Sequence, residues 1–311
     1  TEERNHSSVT SFVLLGFTTG PKLQLLLFMV FTLAYVTTLV SNVTPIVVIR
    51  CSSQLHAPMY FFIGNLPFLG LWYSSVYIPR ILLNCISEDK SISFAGCAAQ
   101  FFVSGGLAYT KCYLLGVVPY DGYAAISDPL LYTAATCKKL CTGLVAASYL
   151  RGFANSTLIA SHASTLSFCD ANVISDFFCD LPLLVKLSRD VTDSSQALLY
   201  FTLTSNIILP SVLMVASYAS ILAAIPKTHL AEGQRKAFST CATCLTIITL
   251  YYSSILFIYT WPSSTYILGR DKLVFVYYTV MAPMLDPSIF SLRDQEVKEA
   301  LKRLVKRKTT S

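Results

Sequence analysis

The side chains of this chain that could do chemistry are four histidines, ten cysteines and a few charges in unexpected places. His6, His56, His162 and His229 have no spacing to one another, or to a Ser or Cys nucleophile, that suggests catalysis, so an enzyme is not expected. No cysteine spacing resembles a zinc site, and neither a metal nor a cofactor is expected. That leaves charge. Arg80, Lys111 and Arg151 fall inside long apolar stretches, where an ionised group is costly and marks a functional position. Arg80 lies near the end of its stretch and is expected to snorkel. Lys111 lies about fourteen residues, roughly 20 Å, into its own, too deep for that, and is expected to be paired. Arg151 stays open between a lipid–water defect and a partner elsewhere.

The elements that position these charges are membrane helices. Hydrophobic residues make up 54% of the chain and charged ones 13%, with a mean hydropathy of +0.57. A soluble domain carries about a quarter charged residues. Stretches long enough to span a bilayer, roughly 20 apolar residues, run over about 23–49, 58–83, 97–120, 140–162, 197–225, 238–261 and 273–291. They are far longer than barrel strands and do not alternate. The expected fold is therefore an all-α membrane protein, a single seven-helix bundle over 23–291, with an extracellular segment 1–22 and a cytoplasmic tail 292–311. The first stretch is not read as a cleavable signal, because the segment before it is polar and lacks a basic n-region.

Lys and Arg in the short loops and the tail fall mostly on one side, which puts the N-terminus outside and the C-terminus inside. In the tail, Val297, Ala300, Leu301 and Leu304 share one helical face with basic residues opposite, as in a short amphipathic helix lying on the lipids of the inner leaflet. The net charge of +6 is thus mostly lipid-facing, and no nucleic-acid partner is expected. Asn5 opens a glycosylation acceptor on the outer side; the matches at Asn42 and Asn155 lie within spans and are discounted. A transporter or channel would show repeats with broken helices at matching positions, and none is found.

Read in order, "PMYFFIGNLPFL" (58–69), "PYDGYAAISDPLLY" (119–132), "SYASILAAI" (217–225), "KAFSTCATCLT" (236–246) and "PMLDPSIFSLRD" (283–294) resemble the signature set of vertebrate odorant receptors, a branch of the rhodopsin-like G-protein-coupled receptors. The resemblance covers nearly the whole chain. It implies a plasma-membrane receptor that takes a small, mostly apolar odorant in the outer half of the bundle. The positions it assigns to ligand contact are Gly105, Ala108, Tyr109, Thr202, Asn206, Tyr252, Ile255, Tyr259 and Thr279. It also implies a disulfide from Cys97 to Cys179 and a heterotrimeric G protein of the stimulatory type as partner. Asp121, Gly122, Tyr123 and Tyr218 stand at its switch positions.

Three departures from the family pattern stand out. The arginine that follows the aspartate in the family's third helix is here Gly122, and Pro119 removes a backbone donor just before it, weakening the helix end. The family's second outer-loop bridge joins the position of Cys169 to a cysteine where this chain has Arg189, which implies a free thiol at Cys169. The family's acids at the positions of Gly70 and Lys111 help hold a sodium ion, and its asparagine is here Asp286. Lys111 and Asp286 are expected to form an intramembrane ion pair in that ion's place. The main reading is an odorant receptor that signals. The runner-up is a homologue that binds ligand without activating a G protein.

Overall fold

The computed structural model describes residues 11–16, 20–52, 55, 58–127, 138–165, 173–174, 179, 197–198, 201–202, 204–224, 249, 252–253, 276–290 and 295–309. The first helix, α1 (Pro21–Cys51), opens with proline at its first turn, where a missing N–H costs nothing. The N–H of Ser52 closes its other end on Val48 O. Its 31 residues reach about 46 Å, enough to cross a bilayer. The burial pattern is inverted relative to a soluble protein. Thr38 and Asn42 are fully enclosed while Leu33 is 70% exposed, as suits an apolar solvent.

α2 (Pro58–Ile86), α3 (Phe94–Ser127) and α4 (Lys138–Ala163) complete the best-described part of the bundle. α3 is the central helix, packing on α2, on α4 and on α5 (Leu209–Ala224). Phe62, Leu66 and Ile78 of α2, Leu114 and Leu115 of α3, and Met214 and Tyr218 of α5 belong to one buried cluster. The helical backbone of α3 runs through Pro119 and Gly122 to Ser127, about two turns beyond the helix end expected near residue 120. A proline inside a helix removes one hydrogen bond, which the rest of a helix 34 residues long outweighs.

α3 and α4 approach closely through glycines. Backbone N and O atoms of Thr110 and Gly106 lie 2.7 and 2.8 Å from where a Cβ on Gly152 would be. Small residues at such crossings let membrane helices gain packing that the bilayer itself does not drive.

A three-stranded sheet in the order β2-β1-β3 covers the end of the bundle where α3 begins. β1 (Ser11–Leu14) pairs antiparallel with β2 (Ser91–Ser93) and parallel with β3 (Val173–Ile174). Alternation along β1 turns Phe12 and Leu14 inward, where both are fully buried beside Ile174, Cys97 and Cys179. Within the segment 1–22, expected only to be polar and extracellular, four residues form a strand of this sheet. Asp89 accepts from the Ser91 N–H at 2.9 Å, and its side-chain and backbone bonds to Ser91 hold its carboxyl below the usual range. Arg80 reaches past the end of its apolar stretch to the carbonyl of Ser91.

At the opposite end, α7 (Gln295–Thr309) follows α6 (Ala282–Phe290). Its apolar face, Val297, Ala300, Leu301 and Leu304, packs on Val48, Ile49, Leu55, Tyr60 and Ile63 rather than standing free, and Tyr60 donates its hydroxyl to Glu296 at 2.8 Å. Lys298, Lys302, Arg303 and Lys306 remain exposed on its other side. The sixth expected span, 238–261, lies outside the described residues apart from Thr249, Tyr252 and Ser253.

Candidate functional site

The only two oppositely charged side chains buried among the described residues meet. Lys111 of α3 is 7% exposed, Asp286 of α6 is 4% exposed, and Nζ of the first pairs with Oδ2 of the second. Local backbone irregularity aims Asp286 there. A π-helical segment, Tyr277–Met281, leads into α6 and shifts its register, the kind of insertion that recurs at functional sites.

Pro287, directly after Asp286, has no N–H to give the carbonyl four residues back, that of Pro283. Asn42 of α1 fills that role, donating from Nδ2 to Pro283 O at 2.9 Å and to Thr38 O at 2.8 Å. Ser41 adds a bond to Met284 O at 3.4 Å. Proline therefore creates an acceptor, and the neighbouring helix is tied to α6 through it.

Beside the ion pair lies a small cavity of about 10 Å³, lined by Gly70, Leu69, Tyr73, Leu107, Ala108, Lys111 and Pro283. Room for one water is all it offers. A Cβ on Gly70 would stand 2.8 Å from Asn42 Oδ1, so a side chain at position 70 requires Asn42 to turn away from the bonds it makes to α6 and its own helix. Positions 70, 111 and 286 thus sit around one point.

The residues assigned to ligand contact do not share that cavity; Ala108 alone among the described ones lines it. Gly105 faces α4, with Ser156 Oγ 3.0 Å from its would-be Cβ, and Tyr109 is buried with Phe101, Ile159 and the two half-cystines beneath the sheet. Thr202, Asn206 and Thr279 are buried polar residues, the last two within π-helical segments. Tyr252 donates its hydroxyl to Cys112 O in α3 at 3.1 Å. Ile255 and Tyr259 lie outside the described residues, as does Asn5.

Asn206 also belongs to a polar network that sequence reading missed. Its Oδ1 accepts from Asn155 Nδ2 at 2.6 Å and from the Tyr113 hydroxyl at 2.8 Å, joining α3, α4 and the π-helical segment Thr204–Ile208 that leads into α5. Two amides in otherwise apolar spans were the available signal, and at Asn155 it was set aside as a chance sequon. In a bilayer such groups find each other because no water competes.

At the other switch positions, Tyr218 is buried in the main cluster, while Asp121, Gly122 and Tyr123 lie in the last two turns of α3. Cys97 and Cys179 are disulfide-bonded, with Cα atoms 5.4 Å apart, tying the start of α3 to the segment after β3. Cys169 and Arg189 lie outside the described residues. Replacing Cys97 by Ser is expected to reduce folded surface protein several-fold, because the bridge closes a loop of 82 residues. Among the three outer-side cysteines, Cys97, Cys169 and Cys179, non-reducing peptide mapping of the native protein should show that bridge and one alkylatable thiol, at Cys169. A link from Cys169 to either partner would overturn the assignment.

A helical bundle with apolar side chains outside and an ion pair, amides and hydroxyls inside defines a multi-pass membrane protein. The pattern of the family described as "Olfactory receptor" matches residues 31–308. Mouse olfactory receptor 9G19 is 54% identical over 304 residues, covering 98% of this chain and 100% of that protein. Human olfactory receptor 9G1 is 54% identical over 303 residues, 97% of this chain and 99% of that one, and human olfactory receptor 5A1 is 46% identical over 308 residues, 99% and 98%. The chain belongs to the olfactory receptor family: it is an odorant-binding G-protein-coupled receptor of the plasma membrane.

Proposed function

We propose that this receptor crosses the membrane seven times with its N-terminus outside, takes its odorant between the sheet-covered end of the bundle and the Lys111–Asp286 pair, and signals through a stimulatory G protein. The observation that carries the ligand's position is the burial of the polar side chains of Tyr109, Thr202, Asn206, Tyr252 and Thr279 within the bundle. Such a lining suits a small, mostly apolar molecule held by one or two polar contacts. Thr279 lies two turns before Asp286, and Ala108 and Tyr109 lie within a turn of Lys111. Ligand capture therefore bears on the ion pair, and through α3 on Asp121, Gly122 and Tyr123 at its far end, shifting a two-state equilibrium.

The basic face of α7 is left to the anionic inner leaflet, its apolar face being spent on α1 and α2. Asn5 carries a glycan in this orientation.

Cyclic-AMP output across an odorant panel, at matched surface levels, tests the reading. Tyr109→Leu and Asn206→Leu are expected to shift the active concentration range for the best ligand about tenfold or more, within the usual span of site coupling. Unchanged responses in both would place the ligand elsewhere. Gly122→Arg is expected to raise maximal output several-fold, since it restores the charge that the family presents at the end of its third helix. Equal output from the two would show that Gly122 does not limit coupling.

A further inference from the structure

We propose that the lipid-facing seam of α4 around Arg151 docks a transmembrane helix of another protein that carries a carboxylate at mid-membrane. Arg151 stands about 20 Å from Lys138 and about 18 Å from Ala163 along a helix 26 residues long, so it sits at the middle of the span. Its side chain is exposed rather than turned into the bundle, between Leu150, 74% exposed, and Leu158, 55% exposed. The contact recorded for it is weak: Nε donates to the Tyr113 hydroxyl at 3.5 Å. That hydroxyl already takes a bond from Asn155 and gives one to Asn206.

A guanidinium cannot lose its proton to escape the cost of this position. It needs an anion, and among the described residues no carboxylate pairs with it. Asp286 is the one acid within the seven apolar stretches, and Lys111 holds it. A second copy is excluded by the same count, and a symmetric contact across this face would bring Arg151 against Arg151. Lipid phosphates lie at the ends of the span, farther away than an arginine side chain extends.

The surrounding seam suits a helix. Gly143, Ala147 and Ala154 are exposed and lie four, and then four and three, residues apart around Arg151, and a Cβ on Gly143 would meet nothing within 4 Å. Small residues at this spacing let a second helix approach closely enough for an aspartate or glutamate on it to reach the guanidinium in a bidentate fork.

The test uses the full-length receptor, donor-labelled, in vesicles of neutral phosphatidylcholine, with acceptor-labelled polyleucine transmembrane peptides bearing Asp, Asn or Leu at the centre. Energy transfer should favour the Asp peptide over the Leu peptide about tenfold, with Asn between. Arg151→Leu should abolish that preference while keeping the Cys97–Cys179 bridge, because it removes a lipid-facing charge. Arg151→Glu should instead select a peptide with central Lys. An Asp preference that survives Arg151→Leu, or no preference in the native receptor, would overturn the proposal. So would Arg151-dependent transfer between receptor copies, or transfer governed by added anionic lipid instead of the peptide's central residue.

Discussion

Lys111→Met and Asp286→Asn should each cut folded surface receptor by an order of magnitude or more, and the double variant should recover most of the loss. Both side chains are buried and paired, between a helix at the bundle's centre and one tied to it through Asn42. Removing one partner strands the other as an unpaired charge at membrane depth, at a cost of about 2.5–3.5 kcal/mol on insertion scales. That corresponds to roughly 60-fold to 300-fold in the folded fraction. Removing both leaves a neutral contact of similar volume, and a buried pair replaced as a whole is often close to neutral in stability.

The outcome is read by surface immunostaining calibrated against a ligand-independent tag. Additive losses in the double variant would show that the two residues do not depend on each other. The same pair predicts that odorant potency in this receptor does not change when sodium is exchanged for a bulky organic cation, since the Lys111 ammonium group already neutralises Asp286. A clear sodium dependence would count against it.

How much of this was legible in the sequence differs by element. The long helices were, because apolar runs beyond twenty residues have few alternatives in a bilayer. The ion pair was legible for a simpler reason: few charges lie in the spans, and a deep lysine with one intramembrane acid leaves little choice. Sheet and π-helical segments were not. Ser11–Leu14 is a four-residue strand whose partners lie some eighty and a hundred and sixty residues away, and neither alternation nor length announces it.

Thr204–Ile208 and Tyr277–Met281 carry no local composition that sets them apart from α-helix; their register shift follows from how the helices around them pack. The continuation of α3 past Pro119 failed as a sequence inference because propensity is a weak guide once a helix is held by its neighbours. The amide network of Asn155 and Asn206 lay between these extremes, visible as polar residues in apolar spans but with partners that only the fold identifies.

Gly152→Ala should be nearly as damaging as loss of either ion-pair partner, although it adds a single methyl group. A Cβ there would lie 2.3 Å from Thr110 Oγ1, 2.7 Å from Thr110 N and 2.8 Å from Gly106 O. The hydroxyl is not free to swing aside without cost, since it donates to Gly106 O at 2.6 Å, and the other two atoms are backbone. The helices must part. Overpacking of a well-filled core costs about 1–3 kcal/mol, and backbone contacts place this case at the upper end. Parting α3 from α4 also stretches the bond from Ser156 Oγ to Phe102 O, 2.7 Å, and loosens the junction of Asn155 with Asn206 and Tyr113. Polar groups left unpaired there have no water to turn to. The comparison is Gly143→Ala on the same helix, where the added Cβ meets nothing within 4 Å and surface yield should stay at the native level. Native yield from Gly152→Ala would mean that the two helices do not cross this closely.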